Sequence, residues 1–155
     1  IDDAALLAVI EDLFPLSTVV TPNLQEAERI ADITIDSFDS IRTAAEKMLA
    51  LGAANVLIKG GHFFEGAVEN RMAIDHLYTA GGDHLTFEAP FIETDSTHGT
   101  GCVLAAAITA NLAIGNDLTG SIATAKEFVT QAISTAGKLG RGHSPVNIPT
   151  NRPRP

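Results

Sequence analysis

Two short β-branched runs set the terms on which this chain can fold. Ser17–Thr21 and Val56–Ile58 carry no charge and read as buried strands. Pro22 and Asn23 break the first run, and Asn23 is placed to cap a short helix over Leu24–Ala31. A longer helix then opens at Ser37–Ser40, carries Ile41, Ala44, Ala45, Met48, Leu49 and Leu51, and stops at Gly52. Strand, helical crossover and strand at this spacing predict two parallel strands joined with right-handed sense.

The flanking segments fill out the same class. Asp2–Phe14 has helical periodicity that Pro15 should end. Met72–Ile74 and His76–Tyr78, the Gly81-Gly82-Asp83 turn and the alternating His84–Phe91 predict a hairpin at a sheet edge, with His76 and His84 on its surface. Val103–Ile114 is apolar on almost every side and predicts a helix buried all round. A last helix, capped by Asp117 or Thr119, carries a stripe of Ile122, Val129, Ala132, Ile133 and Ala136. The expected class is α/β, a mainly parallel sheet flanked by helices with an edge hairpin. No repeat or linker divides the chain, so residues 1–148 are expected to belong to one domain, with 149–155 a disordered tail.

Composition removes several functions. With 10 Lys and Arg against 19 acidic residues, net charge -9, the chain lacks the basic surface that nucleic-acid binding requires. Aromatic residues make up 5% and Trp is absent, so stacking platforms are poorly supplied. No apolar run approaches the roughly 20 residues needed to span a bilayer, and no secretory leader is evident, so no membrane partner is expected. A single cysteine allows neither an internal disulfide nor a zinc cluster, which suits a cytoplasmic setting.

The chemistry-bearing residues gather where predicted strands end and helices begin. In His98-Gly99-Thr100-Gly101-Cys102 two glycines let the backbone turn its amides towards one point at a helix start, which suits an anion. No Lys-Ser or Lys-Thr follows, so this is not a Walker A loop, and a tight packing turn would read the same way. Cys102, in that helix's first turn, reads as a general base or nucleophile, or as a small buried apolar residue. Lys59 ends a predicted strand before Gly60 and Gly61, where ligands of open α/β sheets bind; it reads as a phosphate partner or as a solvated strand end. Asn23 and Glu26 share a helix face and read as ligands of hydrated magnesium or as a capping box. Anion hole, cation and metal ligands together are what phosphoryl transfer needs.

The string Thr97-His98-Gly99-Thr100-Gly101-Cys102, with Leu104 and Ala106-Ala107-Ile108, resembles hydroxymethylpyrimidine and phosphomethylpyrimidine kinases of the ribokinase-like superfamily. Thr21-Pro22-Asn23-Leu24 with Glu26-Ala27-Glu28, Val56–His62, and Gly142-His143 before Pro145-Val146 extend the resemblance in the same order. The resemblance implies a ribokinase-like fold whose N-terminal part lies outside this chain, so that this portion alone is expected to be inactive. It implies Gly99, Thr100, Gly101 and Cys102 as the catalytic anion hole, with Cys102 as base for the substrate hydroxyl. It further implies Lys59, Gly61, Asn23 and Thr97 at ATP, and Glu26 with Asn23 at Mg2+ through water. Two departures stand out. Cys102-Val103-Leu104-Ala105 replaces a frequent Cys-Thr-Leu-Ser, and Ser96 stands where Asn is frequent.

The expected activity is therefore ATP-dependent phosphorylation of the hydroxymethyl group of 4-amino-5-hydroxymethyl-2-methylpyrimidine and then of its monophosphate, in thiamine biosynthesis. A pyridoxal-type kinase and a catalytically silent nucleotide-binding module are the alternatives. A thiol hydrolase would need His98 to activate Cys102, and the intervening Gly-Thr-Gly is better explained by phosphate. Relatives of this kind imply a homodimer.

Overall fold

In a computed structural model, which describes residues 2–60, 71–139 and 141–148, the two β-branched runs meet as parallel neighbours. The Val20 amide donates to Asn55 O at 3.0 Å, Leu57 to Val20 O at 2.8 Å and Lys59 to Pro22 O at 2.9 Å. These bonds make parallel bridges between Val20 and Val56 and between Asn23 and Lys59. The chain approaches through α1 (Asp3–Ala8) and crosses over through α2 (Leu24–Ala31) and α3 (Phe38–Ala50).

Residues 2–14 are not one regular helix. After α1 the backbone widens into a π turn over Val9–Leu13 and tightens into a 3₁₀ turn over Phe14–Leu16, which contains Pro15. Pro15 has no N–H to offer the Glu11 carbonyl and its ring crowds that oxygen. The helix absorbs the misfit by bonding the Phe14 amide to Val9 O, five residues back.

Caps fix the next two helices. Asn23 and Glu26 form a capping box at the start of α2, and Ser37 and Ser40 form another at α3. At the far end of α2, Asp32 turns left-handed at φ 49° and Lys47 Nζ donates to Ala31 O at 2.8 Å. Gly52, at φ 105°, stops the α3 segment as its sequence position suggested.

The sheet runs in the order β1 (Asn55–Lys59), β2 (Met72–Thr79), β3 (His84–Pro90). β1 and β2 pair antiparallel with Leu57 opposite Leu77. Among the described residues the regular ladder is therefore antiparallel, and parallel pairing is carried by isolated bridges. The expected hairpin is present and β3 is its outer strand. Gly60 is required where β1 ends: its amide bonds Ile74 O at 3.0 Å, and a Cβ there would lie 2.2 Å from that oxygen.

The described residues divide into two compact units, one of residues 2–60 with Ala73–Glu88, the other of residues 71–72 and 89–148. In the first, Ala27, Ala44, Ala45 and Met48 are buried in one cluster with Val56 and Ile58. Each branched side chain fully buried there contributes roughly 1.5–3 kcal/mol. His84 is exposed as expected, but His76 is not a surface residue, and the two rings are partners. His76 is 4% exposed and its Nδ1 lies 3.2 Å from His84 Nε2, while the His84 ring stacks on Tyr78 at 4.3 Å. Strand alternation puts both histidines and Tyr78 on one face, which brings the rings together.

The second unit contains α4 (Thr100–Ala113) and α5 (Leu118–Ser134), packed on each other. The expectation that α4 is buried all round does not hold. Only Leu104 and Ile108 are buried, whereas Ala106, Thr109, Ala110 and Ala113 are exposed. Its apolar composition is largely alanine, which covers little area and can face solvent cheaply. Asp117, not Thr119, caps α5, accepting the Gly120 amide at 2.6 Å. Among the described residues no helix is long and apolar enough to cross a membrane. Gly61, His62 and the expected tail at 149–155 lie outside the described residues.

Candidate active site

Three of the chemistry-bearing side chains meet in the first unit. The parallel bridge between Asn23 and Lys59 sets the start of α2 beside the end of β1. Glu26 N–H donates to Asn23 Oδ1 at 2.8 Å, and Asn23 N–H donates to Glu26 Oε2 at 2.7 Å. The same Oε2 stands 3.9 Å from Lys59 Nζ. The capping box and the charged cluster are thus one structure, and the two readings of Asn23 and Glu26 do not compete. Lys59 is 21% exposed and Glu26 56% exposed along their side chains. A partly shielded ammonium at the carboxyl end of a strand is well suited to an anionic ligand, and the loose contact with Glu26 leaves it able to reorient. Glu26 and Arg29 also line an apolar groove of about 390 Å³ beside Leu6, Val9 and Ile30.

The second unit holds the glycine turn. Gly99 is the N-cap of α4 and adopts φ 89°, with nothing within 4 Å of where a Cβ would stand. The requirement for glycine there is conformational and not one of crowding. Thr97 O accepts the Thr100 amide at 3.3 Å, and Val103 N–H closes the first helical bond to Gly99 O at 2.9 Å. Asp2, Asn23, Ser37 and Asp117 each cap a helix with a side-chain oxygen, but α4 has no side-chain cap. Its first turn therefore presents the amides of Gly101 and Cys102 at the positive end of the helix dipole. Cys102 is exposed in that turn, which excludes the reading of it as a small buried apolar residue.

One part of this arrangement went unassigned in the sequence. His98 forms a parallel bridge to Pro145, and Ser144, fully buried, ties its own loop to Leu139. Gly142-His143 before Pro145-Val146 carried part of the family resemblance, but nothing in the spacing pointed back to residue 98.

The chain is 46% identical over 147 residues to the thiamine biosynthesis bifunctional protein ThiED of Geobacter sulfurreducens, covering 95% of this chain and 29% of that one. It is 42% identical over 143 residues to a hydroxymethylpyrimidine/phosphomethylpyrimidine kinase of Haemophilus influenzae, covering 92% and 52% respectively. Among solved structures, an ADP complex of Bacillus subtilis pyridoxal kinase matches with a TM-score of 0.85 at 38% identity, covering 96% of this chain and 56% of the other. The chain thus spans about half of this kinase relative and of this structure, and less of the bifunctional protein. The family model described as phosphomethylpyrimidine kinase matches residues 1–147, and the chain belongs to that family.

Proposed function

We propose that these residues serve an ATP-dependent kinase that phosphorylates the hydroxymethyl group of a pyrimidine alcohol and then its monophosphate, in thiamine biosynthesis. The observation that carries the reading is Cys102, exposed in the first turn of an α-helix that has a left-handed glycine and no side chain as its cap. Such a turn offers a proton acceptor and anion-stabilising amides within one helical turn.

In the proposed reaction Cys102 Sγ takes the proton of the substrate hydroxyl as its oxygen attacks the γ-phosphate in line. The backbone amides at 99–102 stabilise the charge that develops on the transferring group, and Thr97 adds contacts to the nucleotide. Lys59 Nζ binds the ATP phosphates and exchanges its contact with Glu26 for one with phosphate oxygen. Gly61, outside the described residues, is assigned to the nucleotide on its position in the motif alone.

ATP would be bound as its Mg2+ complex. Among the described residues no group of three or more His, Cys, Asp or Glu could chelate a bare ion. The donors present fit a hydrated one: Glu26 is half exposed, and Asn23 Oδ1 keeps a lone pair after accepting Glu26 N–H. Glu26 and Asn23 would hold such an ion through water, and it would supply charge neutralisation at the phosphates.

A second acceptor class is favoured by the close likeness to a pyridoxal kinase, a TM-score of 0.85. ADP release by the full-length protein, with hydroxymethylpyrimidine, its monophosphate and pyridoxal as separate acceptors, decides between them. Pyrimidine-dependent ADP supports the proposal, pyridoxal-dependent ADP alone moves the substrate, and bound ATP without acceptor-dependent ADP overturns the kinase reading. The protein is further proposed to act as a cytoplasmic homodimer.

A further inference from the structure

We propose that Ser144 and Asn147 are positioning residues that hold the glycine turn in place through the backbone of His98. The functional consequence rests on the phosphate-binding role proposed above for residues 99–102. The geometry itself does not.

Residues 144–147 are pinned on both sides. On one side His98 N–H donates to Ser144 O at 3.1 Å and Val146 N–H donates to His98 O at 3.2 Å. On the other, Asn147 N–H donates to Ala132 O at 3.0 Å, and Asn147 Nδ2 donates to Thr135 Oγ1 at 3.2 Å, both at the C-terminal end of α5. Ser144 closes the loop before this segment: its Oγ accepts the Leu139 amide at 2.8 Å and donates to Leu139 O at 3.1 Å. That hydroxyl belongs to a side chain with 0% exposure. Loss of that hydroxyl removes both bonds that tie Leu139 to the start of the 144–147 segment.

Glycine makes this splint necessary. Gly99 has a wide conformational range and no Cβ contact to restrain it. With α4 starting immediately after it and packing on α5, the preceding turn is held across Gly99 by the long bond of 3.3 Å from the Thr100 amide to Thr97 O, which leaves it room to swing. His98, one residue earlier, is where the 144–147 segment removes that freedom. A ring of constraints results, running from the start of α4 through His98 and residues 144–147 to the end of α5, and back through the α4–α5 packing. It fixes the direction from which an anion meets the amides of Gly101 and Cys102.

Native-state hydrogen exchange of the chain separates positioning from plain stabilisation. The reporter is the Val103 amide, whose bond to Gly99 O is the first of α4. In Ser144→Ala and Asn147→Ala its exchange should accelerate by roughly two- to thirtyfold relative to Ile108 and Ile122, the range for couplings carried through packed networks. Ser134→Ala, which removes an exposed hydroxyl on α5, should leave that ratio unchanged. Uniform acceleration across α4 and α5, or none, overturns the proposal. Asn147 is exposed, so its variant keeps the test open where Ser144→Ala fails to fold. The link to function is read separately, by the protection that ATP gives Cys102, the only cysteine, against iodoacetamide. Loss of protection in both variants supports it. Absence of protection in the unaltered chain counts against the phosphate reading and leaves the exchange result to decide the splint.

Discussion

Glu26 Oε2 accepts the backbone amide of Asn23 at 2.7 Å while standing 3.9 Å from the ammonium of Lys59. One carboxylate oxygen therefore serves the cap of α2 and faces the proposed phosphate-binding lysine. The two duties separate by substitution. Glu26→Gln keeps an oxygen able to accept the Asn23 amide, since a glutamine completes a capping box as a glutamate does. Its unfolding free energy should change by less than about 1 kcal/mol, in keeping with a half-exposed ion pair. Acceptor-dependent ADP formation should fall at least about tenfold, as a charge near the metal and phosphates is lost. Asn23→Ala should cost about 1 kcal/mol in urea unfolding through loss of the cap. Unchanged ADP formation in Glu26→Gln would confine Glu26 to the cap.

Gly60 lies next to Lys59, where β2 passes close by. A Cβ there would stand 2.2 Å from Ile74 O, a backbone atom that cannot step aside without moving the strand. Gly60→Ala should therefore destabilise by more than about 2 kcal/mol in urea unfolding. Gly137→Ala, with nothing within 4 Å of the added carbon, should stay within about 0.5 kcal/mol of the parent.

Gly99 tests backbone conformation without crowding. Alanine at φ 89° should cost about 1–2 kcal/mol although no atom lies within 4 Å of its Cβ. Asn tolerates left-handed backbone better than Ala, so Gly99→Asn should be the more stable of the two variants. Equal stabilities in thermal unfolding would mean that the turn relaxes out of its left-handed conformation.

Tyr78 gives an alkaline signature. Burial first, then the carboxylates of Glu46 and Asp39 against an opposing Arg42, raises its pKa above the usual 10.0. The folded state disfavours tyrosinate, so its contribution to stability is full below the unfolded pKa near 10 and is lost as pH rises through the higher folded value. The chain has one tyrosine and no tryptophan, so ultraviolet absorbance of tyrosinate reports this group alone. Titration above the unfolded value, with Tyr78→Phe losing less stability at high pH than the parent, is the expected outcome. A midpoint at or below the usual value would contradict the burial of the ring.

The parts of this fold that were legible in the sequence are those fixed by local chemistry. Asn23, Ser37 and Asp117 announce helix starts by offering a short side-chain oxygen, and Gly52 announces a stop by tolerating positive φ. The strand–helix–strand spacing gave the parallel contact of Val20 with Val56 for the same reason, since chain length leaves few alternatives. What was missed depends on tertiary placement. Pro15 lies in the last helical turn, as expected, but the spread of its misfit backward into a π turn was not legible. His76 and His84 meet because a four-residue turn sets their register across two strands. The exposure of α4 follows from which of its faces meets α5, and the role of Ser144 from a bridge between residues 98 and 145. Spacing along the chain does not encode either.

The proposed role of Cys102 as proton acceptor of a phosphoryl transfer is tested by replacing it with alanine in the full-length protein. Turnover of the pyrimidine alcohol in Cys102→Ala should fall by roughly 10²–10⁴-fold, the usual contribution of a positioned base. The KM for ATP should stay within about threefold, because the helix-start amides that bind phosphate belong to the backbone. Turnover equal to the parent's would show that another group takes the proton.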